Sequence, residues 1–261
     1  MIPPEEMRAR EHPSPCAEAR RAFPSGLEQP AGSFRFSIDA LLLAAFAANS
    51  ANNVTDRFVD LGTGCGVVGL AYLLLTENKL KGSGIDCNSG LINAARKNAA
   101  KLGLSDRFTP YAGDIADTRF LGKLRAENAP VRLVMANPPW RLIGAGRLPA
   151  TEARRKALFG DKTTFPLFAA AASFLLDEGG RFACIISPDR LQDMLAALCE
   201  AGLAPQVLQS IHKQKNVPAT FVLIEARKGV SGETSVAEPV ALYGPGRFFT
   251  LESLAFCPFL R

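Results

Sequence analysis

Residues 59–69 read Val59-Asp-Leu-Gly-Thr-Gly-Cys-Gly-Val-Val-Gly69, a short apolar run that ends in closely spaced glycines. Such a segment is typical of a β-strand that turns sharply into a helix, because glycine allows the tight turn and the close approach of a ligand. The first turn of the helix leaves backbone N–H groups free to bind electron-rich ligand atoms. The segment therefore predicts a nucleoside-bearing cofactor at the carboxyl end of a strand.

Strand and helix patterns alternate on both sides of this segment. We predict helices over 67–75 and 165–176. Three more helices are predicted to begin at the capping residues Ser37, Asn88 and Asp189. The helix capped by Asn88 is expected to stop at Gly103, and the helix capped by Asp189 to end at Glu200. We predict strands over 57–61, 82–86, 108–111, 131–136, 181–186, 206–211 and 220–226. The alternation predicts an α/β fold with a doubly wound, mostly parallel sheet.

Length and composition indicate one α/β domain with an extension. The chain has 261 residues, 48% of them hydrophobic, with a net charge of +5 and a pI near 9.0, which permits a nucleic-acid partner. Six prolines fall in the first 33 residues, so we predict a Pro-rich arm of loops rather than helix over 1–33, followed by the folded domain over 34–261. There is no secretory signal pattern and no apolar run that could span a bilayer, so we expect a cytoplasmic protein.

The cysteines and histidines do not form a metal-binding pattern. The six cysteines include no CxxC pair, and the chain has only two histidines. We therefore expect no metal site, and we interpret the cysteines as reduced, buried thiols.

Two cofactor classes fit the glycine-rich segment. Gly64-Cys-Gly66-Val-Val-Gly69 matches the dinucleotide pattern GxGxxG, and Asp86 lies 20 residues after Gly66. Asp60 favours S-adenosylmethionine (SAM) instead, because its carboxylate suits a positively charged amino-acid group and would repel a pyrophosphate. Asp86, at the end of the second strand, can accept hydrogen bonds from both ribose hydroxyls in either class of cofactor.

A third acid completes the predicted cofactor site. Asp114 follows the third strand and is placed to bind an exocyclic amine of adenine, with Ile115 against the ring. Because Asp60, Asp86 and Asp114 end three successive strands, they are expected at one edge of one sheet.

The stretch Asn137-Pro-Pro-Trp140 follows the fourth strand and predicts the acceptor site. The Asn137 side-chain oxygen and the Pro138 carbonyl can accept hydrogen bonds from a planar amine, and this would favour its pyramidalisation toward a methyl donor. The two prolines make the loop rigid, and Trp140 offers a face for stacking a base, which is worth about 1–3 kcal/mol.

The glycine-rich segment together with this stretch resembles the class I SAM-dependent methyltransferases with an (Asn/Asp)-Pro-Pro-(Tyr/Phe/Trp) signature, whose members modify adenine N6, guanine N2 or protein glutamine. The segment Phe34-Arg-Phe-Ser-Ile-Asp39-Ala-Leu-Leu-Leu-Ala and the ending Gly244-Pro-Gly-Arg-Phe-Phe-Thr250 are similar to bacterial tRNA adenine-N6 methyltransferases that act beside the anticodon of a valine tRNA. The similarity covers roughly residues 27–261. Trp140 stands where these proteins usually have tyrosine.

The resemblance implies a seven-stranded sheet with its last strand antiparallel, and a segment around Ser37 and Asp39 that folds over the methionine end of SAM. It implies that the amine is held by Asn137, Pro138, Pro139 and Trp140. With the residue-based predictions, the expected cofactor-binding set is Ser37, Asp39, Asp60, Gly62, Thr63, Gly64, Gly66, Asp86, Cys87, Asp114, Ile115 and Asn137.

A basic segment follows the acceptor stretch. Residues 141–162 contain six cations against two acids. We interpret this segment as a phosphate-binding flap beside the pocket, with Trp140, Arg141, Arg147, Arg154, Arg155 and Lys156 as substrate-binding residues and Lys162 near its end. The predicted partner is RNA, in the first place tRNA.

Several functions fit these patterns. The first is a SAM-dependent N-methyltransferase acting on adenine N6 in tRNA. The alternatives are a protein glutamine methyltransferase, an rRNA or DNA amino-methyltransferase, a non-catalytic SAM- or RNA-binding module, and a dinucleotide oxidoreductase. The glutamine methyltransferases usually carry a longer helical domain before the glycine-rich segment, whereas only 58 residues precede Val59 here.

Overall fold

A computed structural model describes residues 14–33, 35–50, 57–76, 80–139, 141–142, 159–160 and 162–260. The helices are α1 Pro15–Ala22, α2 Ile38–Asn49, α3 Val67–Thr76, α4 Ser89–Lys101, α5 Thr118–Asn128, α6 Thr164–Leu175, α7 Leu191–Glu200 and α8 Leu251–Phe256. The strands are β1 Arg57–Leu61, β2 Lys81–Asp86, β3 Phe108–Ala112, β4 Leu133–Ala136, β5 Arg141–Leu142, β6 Phe159–Gly160, β7 Arg181–Ile186, β8 Leu203–His212, β9 Ala219–Lys228 and β10 Ser235–Ala241.

Eight strands form one sheet in the order β10-β8-β9-β7-β4-β1-β2-β3, and β5 pairs with β6 separately. Within this sheet β9 runs antiparallel to β7 and β8, and every other neighbouring pair is parallel. The predicted α/β, doubly wound, mostly parallel sheet is therefore confirmed. The carboxyl ends of β1, β2, β3, β4, β7, β8 and β10 all reach the same edge, which positions the site described below.

The helices cover both faces of the sheet and bury two apolar clusters. One cluster joins α2, α3 and part of α4 to one face, and the other joins α5, α6 and α7 to the opposite face. Helices α2 and α3 are apolar on nearly all sides, with nine and seven buried residues, as expected for helices enclosed by other elements. These clusters hold the strand ends in fixed positions.

The sheet contains one strand more than the seven that the sequence predicts. The antiparallel strand is β9, which corresponds to the predicted strand over 220–226, but β10 follows it and pairs with β8 at the edge. Glu238 and Pro239 interrupt the apolar pattern of β10, and Pro239 falls at an irregularity in the pairing. Proline is tolerated on an edge strand because no second neighbour needs its missing N–H.

The prediction that residues 1–33 lack helix is wrong for α1. Pro15 occupies the first turn, where its missing N–H costs nothing, and the Ser14 hydroxyl accepts a hydrogen bond from Ala17 N at 3.3 Å. The segment after α1 contacts α4, since Lys101 Nζ donates to the Gly26 carbonyl at 2.7 Å. Residues 1–13 lie outside the described residues, and the domain boundary at residue 34 remains a prediction.

Two of the predicted helix signals are confirmed and one is wrong. Asn88 caps α4 by accepting from Gly90 N at 2.9 Å, and Gly103 follows its end with a φ of +63°. Asp189 does not cap α7, because it lies in a 3-10 turn over Pro188–Arg190 and bonds to the Ser187 hydroxyl. Helix α5, which Asp117 caps, was not predicted.

All six cysteines lie in described residues and are free thiols, but the expectation that they are buried holds only in part. Cys65, Cys184 and Cys257 are buried, whereas Cys87 and Cys199 are exposed. No helix of the described ranges has the length and apolar character that crossing a membrane requires.

Candidate functional site

The register of the central strands brings three predicted site residues to the same level of the sheet edge. Leu61 on β1 pairs with Ile85 on β2 and with Ala136 on β4. The next residue along each strand is Gly62, Asp86 or Asn137, so these three follow aligned partners on adjacent strands. Neighbouring strands lie about 4.8 Å apart, which places the glycine turn between the other two groups.

The glycine turn connects β1 to α3 through residues 62–66. Gly62, Gly64 and Gly66 have φ angles of +68°, +56° and +87°, a region that side-chain-bearing residues rarely adopt. A Cβ added at Gly64 would meet no atom within 4 Å, so the backbone there faces open space that a ligand could enter. At Gly62 it would lie 3.4 Å from the Phe168 ring on α6.

Asp60 and Thr63 lie beneath this turn. Asp60 is 1% exposed, and its Oδ2 accepts from the Thr63 hydroxyl at 2.6 Å and from Gly69 N at 3.1 Å. Burial raises the pKa of Asp60 to about 7, against an ordinary value of 3.8, although these two hydrogen bonds act in the opposite direction. The buried carboxyl therefore ties β1, the turn and the start of α3 together from below.

Asp86 is half-buried at the end of β2 and retains acceptor capacity. Its Oδ2 accepts from Gly64 N at 3.0 Å and its Oδ1 from Asn88 N at 2.8 Å. Burial raises its pKa, and these backbone bonds partly compensate. A carboxylate has about four lone-pair positions, so two remain for a pair of vicinal hydroxyls. The adjacent Cys87 is exposed.

Asp114 and Ile115 lie just beyond β3 at the same edge. Asp114 is exposed, and its Oδ1 accepts from Ala116 N at 2.9 Å, which shapes the short turn before α5. Ile115 is half-buried and packs against the apolar cluster on the α5 side of the sheet. An exposed acid beside an apolar side chain suits the edge and the face of a purine.

Ser37, Asp39 and Asn137 form a hydrogen-bonded chain beside the turn. Asp39, on the first turn of α2, is 4% exposed; its Oδ1 accepts from the Ser37 hydroxyl and its Oδ2 accepts from Asn137 Nδ2 at 2.8 Å. Ser37 occupies the predicted cap position of α2, but its side chain makes no capping bond to the helix backbone. Pro138 is buried and Pro139 half-buried.

Most of the predicted substrate residues fall in the segment that follows the acceptor stretch. Trp140, Arg147, Arg154, Arg155 and Lys156 lie outside the described residues, and of Arg141 only the backbone in β5 is described. The roles assigned to them remain predictions.

Asn98 is a site residue that the sequence analysis missed. It is 1% exposed on α4, and its Nδ2 donates to the Cys65 carbonyl at 2.9 Å and to the Glu28 carbonyl at 3.0 Å. Its Oδ1 accepts from Glu28 N at 2.6 Å. The side chain thus fixes the glycine turn and anchors the segment before α2. The available signal was a polar residue within the apolar stripe of α4, whose members include Ala95 and Leu102.

Curated relatives are similar to a little under two thirds of the chain. A tRNA1(Val) (adenine(37)-N6)-methyltransferase of Porphyromonas gingivalis is 30% identical over 174 residues, which is 64% of this chain and 64% of that protein. A release factor glutamine methyltransferase of Rhodospirillum rubrum is 31% identical over 158 residues, 57% of this chain and 45% of that protein. The chain thus matches less than two thirds of the length of these relatives. No family model matches the chain.

Solved structures share the fold over most of the chain. A predicted O-methyltransferase from Agrobacterium tumefaciens superposes with a TM-score of 0.66 at 22% identity, covering 85% of this chain and 96% of that one. A geranyl diphosphate methyltransferase in complex with SAM gives a TM-score of 0.50 at 15% identity, covering 72% and 85%. Together with the strand order and the single antiparallel strand, these similarities establish that the chain has the class I methyltransferase fold.

Proposed function

We propose that the protein is a SAM-dependent methyltransferase that modifies an exocyclic amine, with adenine N6 in tRNA as its substrate. The observation that carries this proposal is the oriented amide of Asn137. Asp39 is 4% exposed and accepts the hydrogen bond from Asn137 Nδ2, and the strand register puts this pair next to the glycine turn.

The orientation of the amide determines what it can bind. The carboxylate of Asp39 only accepts hydrogen bonds, so it selects the rotamer of Asn137 that directs the NH2 group toward α2. The Oδ1 atom then points away from α2 within the amide plane, where it is available to an N–H of a substrate. An amine conjugated to a heteroaromatic ring is a poor nucleophile, and acceptors such as Asn137 Oδ1 and the Pro138 carbonyl would localise its lone pair.

The residues around the turn fit SAM, which when bound supplies a methyl group already activated by the sulfonium. Asp86 has the acceptor positions that a ribose requires, and Asp114 with Ile115 suits the adenine. The open side of Gly64 admits the ligand against the backbone. We infer that Asp60 and Thr63 support the turn from below instead of contacting the ligand, because their bonded side chains are buried.

The substrate is inferred from two kinds of support. The names of several curated relatives specify adenine N6 at position 37 of a valine tRNA. The basic segment over 141–162 and Trp140 provide the phosphate-binding and stacking groups that an RNA base requires. A protein glutamine substrate is the second candidate, favoured by the release factor methyltransferase relative, because its amide nitrogen suits the same acceptors. With tRNA as substrate we expect the protein in the cytoplasm.

The test uses the full chain with SAM labelled on the methyl group, an unmodified valine tRNA transcript and a release factor. We expect label in tRNA, recovered as N6-methyladenosine after digestion to nucleosides. Label in the release factor alone would show that the substrate is a protein glutamine and not adenine in tRNA. Failure of S-adenosylhomocysteine to raise the melting temperature, with no transfer to either substrate, would overturn the methyltransferase proposal.

Asn137→Ala identifies the site within this assay. Removing one preorganised hydrogen-bonding group from a reacting centre typically costs 10²- to 10³-fold in rate, and we expect a loss of about this size in kcat. Binding of S-adenosylhomocysteine, measured calorimetrically, should persist. Asn93→Ala makes the same change on the exposed side of α4 and is the matched control. If Asn137→Ala and Asn93→Ala were equally active, Asn137 would have no role in the reaction.

A further inference from the structure

A second surface lies at the same sheet edge as Asn137. Because β8 runs parallel to β4, the hairpin over 213–218 that joins β8 to β9 projects from the carboxyl edge. Strand β10 is parallel to β8, so the turn over 242–250 that follows it projects from this edge as well. Three to four strand spacings separate these segments from β4, which amounts to about 15–20 Å.

Hydrogen bonds fix the two segments to each other and close each of them. Tyr243 N donates to the Lys213 carbonyl at 2.8 Å, and Gly244 N donates to the Phe248 carbonyl at 2.9 Å. The His212 Nδ1 atom lies 2.6 Å from the Val217 carbonyl across the hairpin. These hydrogen bonds therefore hold the backbone that carries the exposed side chains of both segments.

The surface is positively charged. Lys213, Lys215 and Arg247 are exposed, and none of them forms an ion pair with a described residue. No aspartate or glutamate occurs within 206–219 or 239–251, so no acid in these segments offsets the three charges. A cluster of unpaired cations at an edge suits a partner with regularly spaced negative charges.

An exposed aromatic ring follows Arg247 in the second of these segments. Phe248 is 78% exposed, and its ring lies over Gly246, where an added Cβ would come within 3.2 Å of it. Arg247 has a φ of +64°, a left-handed conformation that is uncommon for a residue with a side chain. An exposed aromatic ring on the same surface as cations is an arrangement that proteins use to stack unpaired bases next to a phosphate backbone.

We propose that Lys213, Lys215, Arg247 and Phe248 form an RNA-docking surface that holds a part of the substrate flanking the target nucleotide. This inference rests on the proposed function and deepens it. At about 15–20 Å from Asn137 the surface is too distant to touch the nucleotide that is modified. It therefore contributes to the affinity for the RNA and not to the chemical step.

The experiment measures binding of the tRNA transcript by fluorescence anisotropy as a function of salt, with S-adenosylhomocysteine present. For Lys213→Ala/Lys215→Ala we expect about a tenfold weaker Kd and a salt-dependence slope that is smaller by about 2, because each lysine neutralises one phosphate. For Phe248→Ala we expect about a tenfold loss with an unchanged slope. The kcat at saturating tRNA and the affinity for S-adenosylhomocysteine should equal those of the wild type.

Lys81→Ala/Lys123→Ala is the matched control. It removes the same charge from exposed lysines, one at the amino end of β2 and one on α5. The inference is overturned if the hairpin variant binds tRNA like this control, or if Phe248→Ala changes only the oligomeric state in sedimentation. If the wild-type protein methylates tRNA and the variants bind tRNA with the same affinity, the docking surface is wrong and the proposed function stands. A wild type that neither binds nor methylates RNA defeats both.

Discussion

Two buried aspartates support the two halves of the site in different ways. Asp60 lies beneath the glycine turn and bonds to a hydroxyl and a backbone N–H, while Asp39 lies beneath the acceptor loop and bonds to two side chains. The partners of Asp60 define the path of the backbone, whereas the main partner of Asp39 is an amide that a rotation could reverse. The cofactor half of the site therefore depends on the backbone conformation of the glycine turn, and the acceptor half depends on the orientation of the Asn137 amide.

Among changes to the residues that support the site, Asp39→Asn should produce the largest effect, because it disturbs the orientation of Asn137 while leaving the Asn137 side chain in place. An asparagine at 39 can accept from or donate to Asn137, so both orientations of the Asn137 amide become similarly stable. We expect kcat to fall roughly 10- to 100-fold, as for other small displacements of a reacting group. Steady-state kinetics should show this fall with an unchanged affinity for S-adenosylhomocysteine.

The exposed Asp106 provides the matched control, as Asp106→Asn. A loss of S-adenosylhomocysteine affinity in Asp39→Asn with kcat retained would contradict our assignment. It would instead support the role over the methionine end of SAM that the family resemblance implies for this segment.

The contrast between the halves also explains what the sequence could reveal. The glycine spacing around Gly64 and the acids at strand ends are local signals, and they predict the turn and the position of Asp86 at its edge. The burial of Asp60 could not be predicted, because the same residue pattern fits a carboxylate facing either side of the turn. The contact between Asp39 and Asn137 spans 98 residues, and only the packing of α2 against the sheet reveals it.

The same reasoning applies to the elements that were missed. Helix α5 has a short stripe of three buried residues, of which only Leu121 and Leu124 are apolar, and β10 carries one proline and one glutamate. Each element therefore depends on tertiary contacts that a local pattern does not contain. Asn98 is a polar residue in an apolar stripe, which the sequence identifies as unusual without naming its partners. Its bonds to Glu28 and Cys65 join segments that are far apart in the chain.

Asp60→Ala tests the other half of the comparison and should act on stability. It leaves the Thr63 hydroxyl and Gly69 N without their buried acceptor, which costs about 1–3 kcal/mol. A change of this size lowers the Tm of a domain of this length by roughly 3–10 °C. Differential scanning calorimetry at pH 5.5 measures it, with Asp106→Ala as control. An unchanged Tm together with unchanged binding of S-adenosylhomocysteine would show that the turn holds its shape without Asp60.

The pH dependence of the free energy of unfolding should show the contribution of Asp60 separately from that of Asp39. Because burial raises the pKa of Asp60 to about 7, the folded protein keeps a proton that the unfolded chain, with its ordinary value of 3.8, has released above about pH 4. Between pH 4 and 7 the folded state binds more protons, so the contribution of Asp60 to stability falls as the pH rises, by at most about 1.4 kcal/mol per pH unit.

Asp60→Asn removes this titration while keeping an acceptor oxygen beneath the turn. The free energy of unfolding of the variant, relative to the wild type, should therefore increase between pH 5 and pH 7.5. Urea titrations at intervals of half a pH unit provide the measurement. A constant difference across this range would mean that Asp60 ionises at its ordinary pKa in the folded protein.

Ser37→Ala should have the smallest effect, and it separates the two contacts of Asp39. The hydroxyl bonds to Oδ1 of Asp39, whereas Asn137 bonds to Oδ2, so the orientation of the amide survives the loss of the serine. Ser37 is exposed, and water can replace its hydroxyl at the carboxylate. We therefore expect kcat to fall by less than about fivefold, because a water-mediated hydrogen bond is nearly as favourable as a direct one. Ser105→Ala, at another exposed serine, is the control, and a fall in kcat as large as that of Asp39→Asn would assign Ser37 itself to the reacting centre.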